Sequence, residues 1–328
     1  MPDILMDMAR SNLVPFIQGD PGTAKSACVK QFAKDNNLKL IDIRLATCDP
    51  TDLVGFPRLD GDRMDYSPLR QMPLAEDPLN GFDGFILFLD EFNSAPVSVQ
   101  AASYKLILDR KVGNRSLHQK CLTVCAGNLC SNKAITNKLS TAMQSRLVNI
   151  TLSMTTNDWL KWAVKNNIDQ RVISFIKFKP DLLHRFNPNH NDKTFPCART
   201  WEFLSNYIKS KTKLDHMNLV VMAGCISEGP ATEFKAFSNI YKHLPDIEHI
   251  INNPTTFEVK DEPSYQHALS TLISHNIEKA PSELLIAIKR FPIEFQIVCL
   301  RESIARKPSN FNLKQVSDWC EKNSNDLF

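Results

Sequence analysis

The rhythm of apolar and polar positions changes halfway along the chain. In the first half, short apolar runs recur: VPFIQ (14–18), LKLIDIRL (38–45), GFILFLDE (84–91), CLTVCAGN (121–128) and LVNITLS (147–153). Runs of this length, bounded by Gly, Asp and Asn, read as strands. GFILFLDE has no polar residue before its end and reads as the most buried strand of the chain. Helical spacing fills the gaps, in SACVKQFAKDNN after the first run and in VSVQAASYKLILDR (97–110), where Pro96 suits a first helical turn. Strands alternating with helices predict an α/β domain with a mostly parallel sheet. Ligands of such sheets bind at the carboxyl ends of the strands.

From about Thr155 the strand signal fades. TNDWLKWAVKNN, QRVISFIKFKPDLLHRF, RTWEFLSNYIKSK, ELLIAIKRF and IEFQIVCLRESIARK all carry helical spacing, separated by loops such as NPNHNDKTFP and NNPTT. The second half therefore reads as all-α, without internal repeats or low-complexity tracts.

Composition narrows the class. The 328 residues make roughly two domains at about 150 residues each. A net charge of +3 is too small to argue for nucleic acid or a membrane surface, so any basic partner surface has to be local. The start, MPDILMDMAR, is acidic and amphipathic rather than basic then apolar, and no apolar run approaches the roughly 18 residues of a membrane span. Nine cysteines, an odd number scattered along the chain, fit free thiols in a reducing cytoplasm. Cys28, Cys125 and Cys299 sit in core-like patterns. Cys121, Cys125 and Cys130 form the tightest group, but their spacing is not that of a metal knuckle.

Chemistry concentrates in a few places. GDPGTAKS (19–26) follows the first strand and opens a helix, the setting of a phosphate-binding loop. Such a loop needs inward backbone N–H groups, a helix N-terminus, a lysine for the β- and γ-phosphates and a hydroxyl for Mg²⁺. Gly19, Asp20, Pro21, Gly22, Thr23 and Ala24 supply the turn, Lys25 the cation and Ser26 the hydroxyl. Ala24 stands where the pattern has Gly; its methyl is harmless at negative φ and costly at positive φ. Asp90 and Glu91 end the most apolar strand. Asp90 is placed to hold Mg²⁺ through water, and Glu91 to polarise the water that attacks a γ-phosphate. Asn128, at the end of the next strand, can orient that water. Arg146 lies between a helix and the last strand, where an arginine can reach a neighbouring subunit's γ-phosphate. Arg199, early in a helix of the second half, can reach back to the same nucleotide.

These motifs, in this order, resemble the AAA+ ATPases, and within them the MoxR group, in which alanine before the P-loop lysine is common. The resemblance runs over about residues 1 to 240. It implies a P-loop αβα sandwich with a five-stranded parallel sheet (1–154), an all-α lid (155–240) and a C-terminal helical extension (241–328). It makes Gly19 to Ser26 Walker A, Asp90 and Glu91 Walker B, Asn128 sensor 1, Arg146 the arginine finger and Arg199 sensor 2. The family usually has Asp before the finger and Phe after it, whereas the run here is SRL; Arg110 and Arg115 stay open as alternatives. Residues Leu5 to Asn12 must wall the adenine, because little chain precedes the first strand.

Two insertions also fit the group. DLVGFPRLDGDRMDYSPLRQMP (52–73) matches its helix-2 insert with a hairpin, and DRKVGNRSLHQK (109–120) its pre-sensor-1 hairpin. Both tend to face the pore of such rings. The second carries Arg110, Lys111, Arg115, His118 and Lys120, a set suited to an acidic protein segment or to nucleic acid, though no aromatic side chain interleaves with the charges.

The resemblance implies a cytoplasmic, ATP- and Mg²⁺-dependent chaperone-like machine. It would be a homo-oligomer, expected to be a hexameric ring, acting on a protein client with a von Willebrand factor A domain partner. The rival reading is a DNA-directed motor or helicase loader, with salt-sensitive binding through 110–120. Lys25 and Glu91 argue against a non-hydrolysing scaffold. A small-molecule kinase would leave the helical half and Arg146 unexplained. On the resemblance, Ala24→Gly is expected to change little.

Overall fold

The computed structural model describes residues 2–129, 137–189, 192–211 and 214–323. The chain divides into two compact units at Ser153–Met154, a short segment after Arg185 clustering with the first.

The first unit opens with helix α1 (Pro2–Arg10), strand β1 (Pro15–Gly19), helix α2 (Lys25–Asp35) and strand β2 (Leu38–Arg44). A short helix α3 (Pro50–Val54) leads into a hairpin of β3 (Phe56–Asp60) and β4 (Arg63–Ser67). Strand β5 (Gly84–Asp90) and helix α4 (Val97–Leu108) follow, then a second hairpin of β6 (Lys111–Val112) and β7 (Arg115–Ser116). Strand β8 (Cys121–Asn128), helix α5 (Thr141–Gln144) and strand β9 (Val148–Thr151) complete the unit. The expected strands are all present, within a residue or two of the predicted bounds.

The main sheet has five parallel strands in the order β2-β5-β8-β1-β9. Alternation along β5 explains its apolar run. Phe85, Leu87 and Leu89 join one core cluster, and Ile86 and Phe88 another on the opposite face. Helices cover both faces, so every residue of β5 is buried. Cys121 and Cys125 belong to the same packing as Phe85; burial pushes the Cys121 thiol up to about 12 and raises Cys125 further. Such thiols are inert. Cys299 is buried as expected, whereas Cys28 is only half-buried. Cys130 lies outside the described residues, among which no metal-binding group of His, Cys, Asp or Glu occurs.

Both insertions form antiparallel hairpins on two-residue turns, with Gly61 (φ 66°) in one and Gly113 (φ 58°) in the other. A side chain at Gly113 would strike Tyr66 and the Val54 carbonyl, so glycine is required there twice over. The first hairpin is amphipathic. Pro57, Leu59, Met64 and Tyr66 share one face, and Arg58 and Asp60 oppose Asp65 and Arg63 on the other.

The second unit is helical: α6 (Thr156–Lys165), α7 (Gln170–Phe178), α8 (Ala198–Ile208), α9 (His216–Ile226), α10 (Glu228–Lys242), α11 (Ile247–Asn252), α12 (Pro263–Asn276), α13 (Pro281–Ile288), α14 (Ile293–Arg306) and α15 (Lys314–Lys322). Phe175, Trp201 and Phe234 centre one apolar cluster, with ring centroids 5.4–5.9 Å apart. Ile250, Phe257, Leu269, Leu300 and Trp319 build a second. A buried charge cluster ties α7, α12 and α14 together. Glu302 pairs with Lys177 of α7, with His275 Nε2 at 3.3 Å and with Arg306 Nη2 at 3.4 Å, and accepts from Thr271 Oγ1 at 3.3 Å. The helical stretches before and after residue 240 therefore share ionic as well as apolar packing. No helix among the described residues is long and apolar enough to cross a membrane.

Candidate functional site

Three adjacent strands, β5, β8 and β1, end side by side, and each hands over to a polar group. Gly19 closes β1. A side chain there would lie 2.9 Å from the Leu152 carbonyl and 3.0 Å from Thr23 Oγ1, so close packing demands glycine. The chain then turns through Asp20, Pro21 and Gly22 (φ 80°), and the buried Thr23 braces the turn by donating to Asp20 O at 2.8 Å. Ala24 caps α2 without a side-chain hydrogen bond to its first turn. That leaves amide donors at a positive helix end, the arrangement that receives a phosphate.

Ala24 sits at φ 63°, ψ 26°, the left-handed region. The substitution is thus at a position where the backbone favours glycine, at a cost of about 1–2 kcal/mol. This corrects the expectation that Ala24→Gly would be nearly silent: the methyl is tolerated in a strained conformation. Glu91, the other side chain in this region of the site, is also left-handed, at φ 56°. Strain of this kind collects at functional sites.

The P-loop lysine joins two of the strand ends. Lys25 Nζ donates to Gly19 O (2.8 Å), Asp20 O (3.0 Å) and Asn128 Oδ1 (3.0 Å). Ser26 Oγ donates to Asp90 Oδ2 at 2.7 Å, and Asp90 Oδ1 accepts from the Glu91 amide at 2.9 Å. Lys25, Ser26, Asp90, Glu91 and Asn128 are therefore assembled together. Ser26 and Asp90 put hard oxygen donors within hydrogen-bond distance, a donor set that fits Mg²⁺ beside a bound phosphate chain.

Asn93, which sequence reasoning missed, lies under this group. It is 1% exposed and sits in the tight turn Phe92–Ser94 after Glu91. Its Nδ2 donates to Asn128 O at 2.7 Å, and its Oδ1 accepts from Asn128 N at 3.1 Å. The signal in the sequence was an amide side chain just past the carboxylate pair, with a glycine just before Asn128.

Arg146 is not joined to this group. It donates to Ala142 O, lies 5.8 Å from the Tyr104 ring centroid and is half-buried at the turn between α5 and β9. Arg199 is exposed on the first turn of α8, in the helical unit. The alternative fingers are engaged within the chain. Arg110 donates to His118 O (3.0 Å), Cys121 O (2.7 Å) and Asn12 Oδ1 (2.9 Å), and Arg115 pairs with Glu76. His118 packs edge-on against Phe85, and its Nδ1 accepts from the Lys120 amide. The basic hairpin is thus mostly a braced turn, with Lys111 and Lys120 as exposed cations.

Residues 15–147 match the family model of the AAA domain, dynein-related subfamily. This span holds the P-loop, both carboxylates, Asn128 and Arg146. Curated proteins give no match. Among solved structures, the chain is similar to NtrX from Brucella abortus, at 14% identity and a TM-score of 0.40, over 93% of this chain and 66% of that one. It is also similar to a candidate ATPase from Cytophaga hutchinsonii, at 14% identity and a TM-score of 0.37, over 98% of this chain and 86% of that one. The chain thus spans just under two thirds of the NtrX chain.

Proposed function

We propose that this chain is an AAA+ ATPase of the MoxR group that works as a ring and spends ATP hydrolysis on remodelling a protein or protein complex. The observation that carries the reading is the meeting of Lys25 with Asn128 and of Ser26 with Asp90 at the ends of three neighbouring strands. A phosphate chain lying on the first turn of α2 takes the Lys25 ammonium as its charge partner. Ser26 and Asp90 would hold Mg²⁺, which would neutralise phosphate charge when bound. Glu91 accepts the proton of the attacking water, and the Asn128 amide orients that water. Arg146 completes the site of a neighbouring subunit, and Arg199 links the nucleotide to movement of a lid formed by residues 155–240, with 241–328 as its extension. The setting is cytoplasmic, and a von Willebrand factor A domain protein is the partner.

The two arginines of the 109–120 hairpin are engaged within the chain, which weakens the DNA-directed reading through this hairpin. The test is the ATPase rate per subunit as a function of protein concentration. A rate that rises and saturates supports a site shared between subunits. A flat rate at concentrations where the protein is monomeric would make the site self-contained and remove the role of Arg146.

A further inference from the structure

Strand β8 runs further than its neighbour. The β5–β8 pairing ends at Leu89 opposite Cys125, because β5 stops at Asp90 and the chain turns away through Glu91. On its other side β8 stays paired with β1 as far as Asn128 opposite Gly19. The N–H and C=O of Asn128 need a partner where no strand remains. The Asn93 carboxamide takes that place, since it offers one donor and one acceptor, as a peptide unit does. It meets both backbone groups of Asn128, at 2.7 and 3.1 Å.

The neighbouring residues are shaped for this contact. A methyl at Gly127 would sit 2.2 Å from Asn93 Oδ1 and 2.9 Å from the Phe16 ring, so only glycine admits the amide. Asn93 is itself held from behind: its carbonyl accepts from the Asn137 amide at 2.6 Å, and Asn137 Nδ2 donates to Ala95 O at 2.8 Å. The held Asn128 backbone sets where its side chain starts, and that side chain carries Oδ1 to Lys25 Nζ. Asn93 also lies two residues after Glu91, in the same turn.

We propose that Asn93 is a positioning residue for ATP hydrolysis: its carboxamide replaces the missing strand beside Asn128 and holds that residue in register with the Glu91 turn. The inference rests on the nucleotide reading above. Asn93 touches no reacting atom and acts through Asn128, so its loss should affect turnover much more than nucleotide affinity.

The test compares wild-type protein, Asn93→Asp, Asn128→Ala and the double variant, all as the full chain. ATP affinity is read with a fluorescent ATP analogue and turnover as kcat. Asn93→Asp keeps the acceptor and loses the donor. Its kcat should fall by about 10²-fold, the scale of losing one well-placed polar contact, with affinity within about threefold of wild type. The double variant should be no more than about threefold slower than Asn128→Ala, because the two residues act as one unit. Multiplied losses in the double variant, or a wild-type kcat in Asn93→Asp, would overturn the proposal. If Asn93→Asp does not fold, Gly127→Ala displaces the same amide from the other side and should show the same split between kcat and affinity; an unchanged kcat there would overturn it. A wild-type protein that neither binds nor hydrolyses ATP would remove the nucleotide reading and this proposal together. Normal wild-type turnover with an indifferent Asn93 removes this proposal alone.

Discussion

Lys25 Nζ and Asn128 Oδ1 lie 3.0 Å apart although 103 residues separate them in the chain. The contact joins the end of β1 to the end of β8. It depends on the P-loop turn, which starts the lysine from α2, and on the paired strands, which bring Asn128 alongside Gly19. Lys25→Ala removes the one cationic side chain of residues 19–26. MgATP affinity should fall at least about 10²-fold, since a charge-assisted contact to phosphate is lost. Calorimetric titration with a non-hydrolysable ATP analogue checks this; unchanged affinity would remove the P-loop assignment.

Ala24 occupies a left-handed conformation at φ 63°. Ala24→Gly should therefore stabilise the α/β unit by about 1 kcal/mol, the strain exceeding the entropy glycine loses on folding. The thermal transition of that unit should rise by roughly 2–4 °C. A drop in its midpoint would show that the loop does not hold this conformation in solution.

Arg110 supports the chain rather than a partner. Its guanidinium bridges Asn12 and the carbonyls of His118 and Cys121. Arg110→Ala should cost about 2 kcal/mol, because two partly buried carbonyls lose a charged donor. Urea unfolding of the α/β unit reads this directly. Full stability, together with a loss of salt-sensitive DNA binding, would return the hairpin to the nucleic-acid reading.

The charge cluster of the helical unit sets an acid limit. His267, buried on α12 against Phe178 near Glu302 and Lys177, has its pKa lowered by burial to about 4, so its neutral form belongs to the folded state. Folding stability is then complete above about 6.5 and declines as pH falls towards 4, by up to roughly 3 kcal/mol. Burial draws Glu302 upward, but its hydrogen bond from His275 and the Lys177 charge outweigh that and bring it to about 2. Its contribution is present above the ordinary carboxylate range and is lost as pH falls through 2. Denaturation midpoints between pH 7 and 4 should fall for the wild type and flatten in His267→Phe. An unchanged slope in that variant would assign the acid sensitivity elsewhere.

The alternation of the apolar runs made the sheet legible, because strand burial on two faces leaves continuous hydrophobic stretches such as Phe85 to Leu89. The P-loop and the carboxylate pair were legible because phosphate chemistry needs those residue types in order. The backbone angle of Ala24 was not, since a methyl side chain does not announce the dihedral its loop imposes. Neither was the pairing of Asn93 with Asn128, which arises only because β5 stops short of β8. Arg110 read as part of a basic patch because charge counts do not show which carbonyls the fold brings within reach. Lys177 and Glu302 lie in segments that sequence reading divided, and only helix packing joins them.

ATP turnover by Glu91→Gln beside the wild type, with binding measured in parallel, tests whether hydrolysis takes place at this site. Glu91 is held at the end of β5 beside Asp90, and its carboxylate is assigned the proton of the attacking water. Near-normal MgATP binding and a turnover reduced by about 10²-fold or more are expected in the variant. Wild-type turnover in Glu91→Gln would contradict this assignment and move the chemistry away from this site.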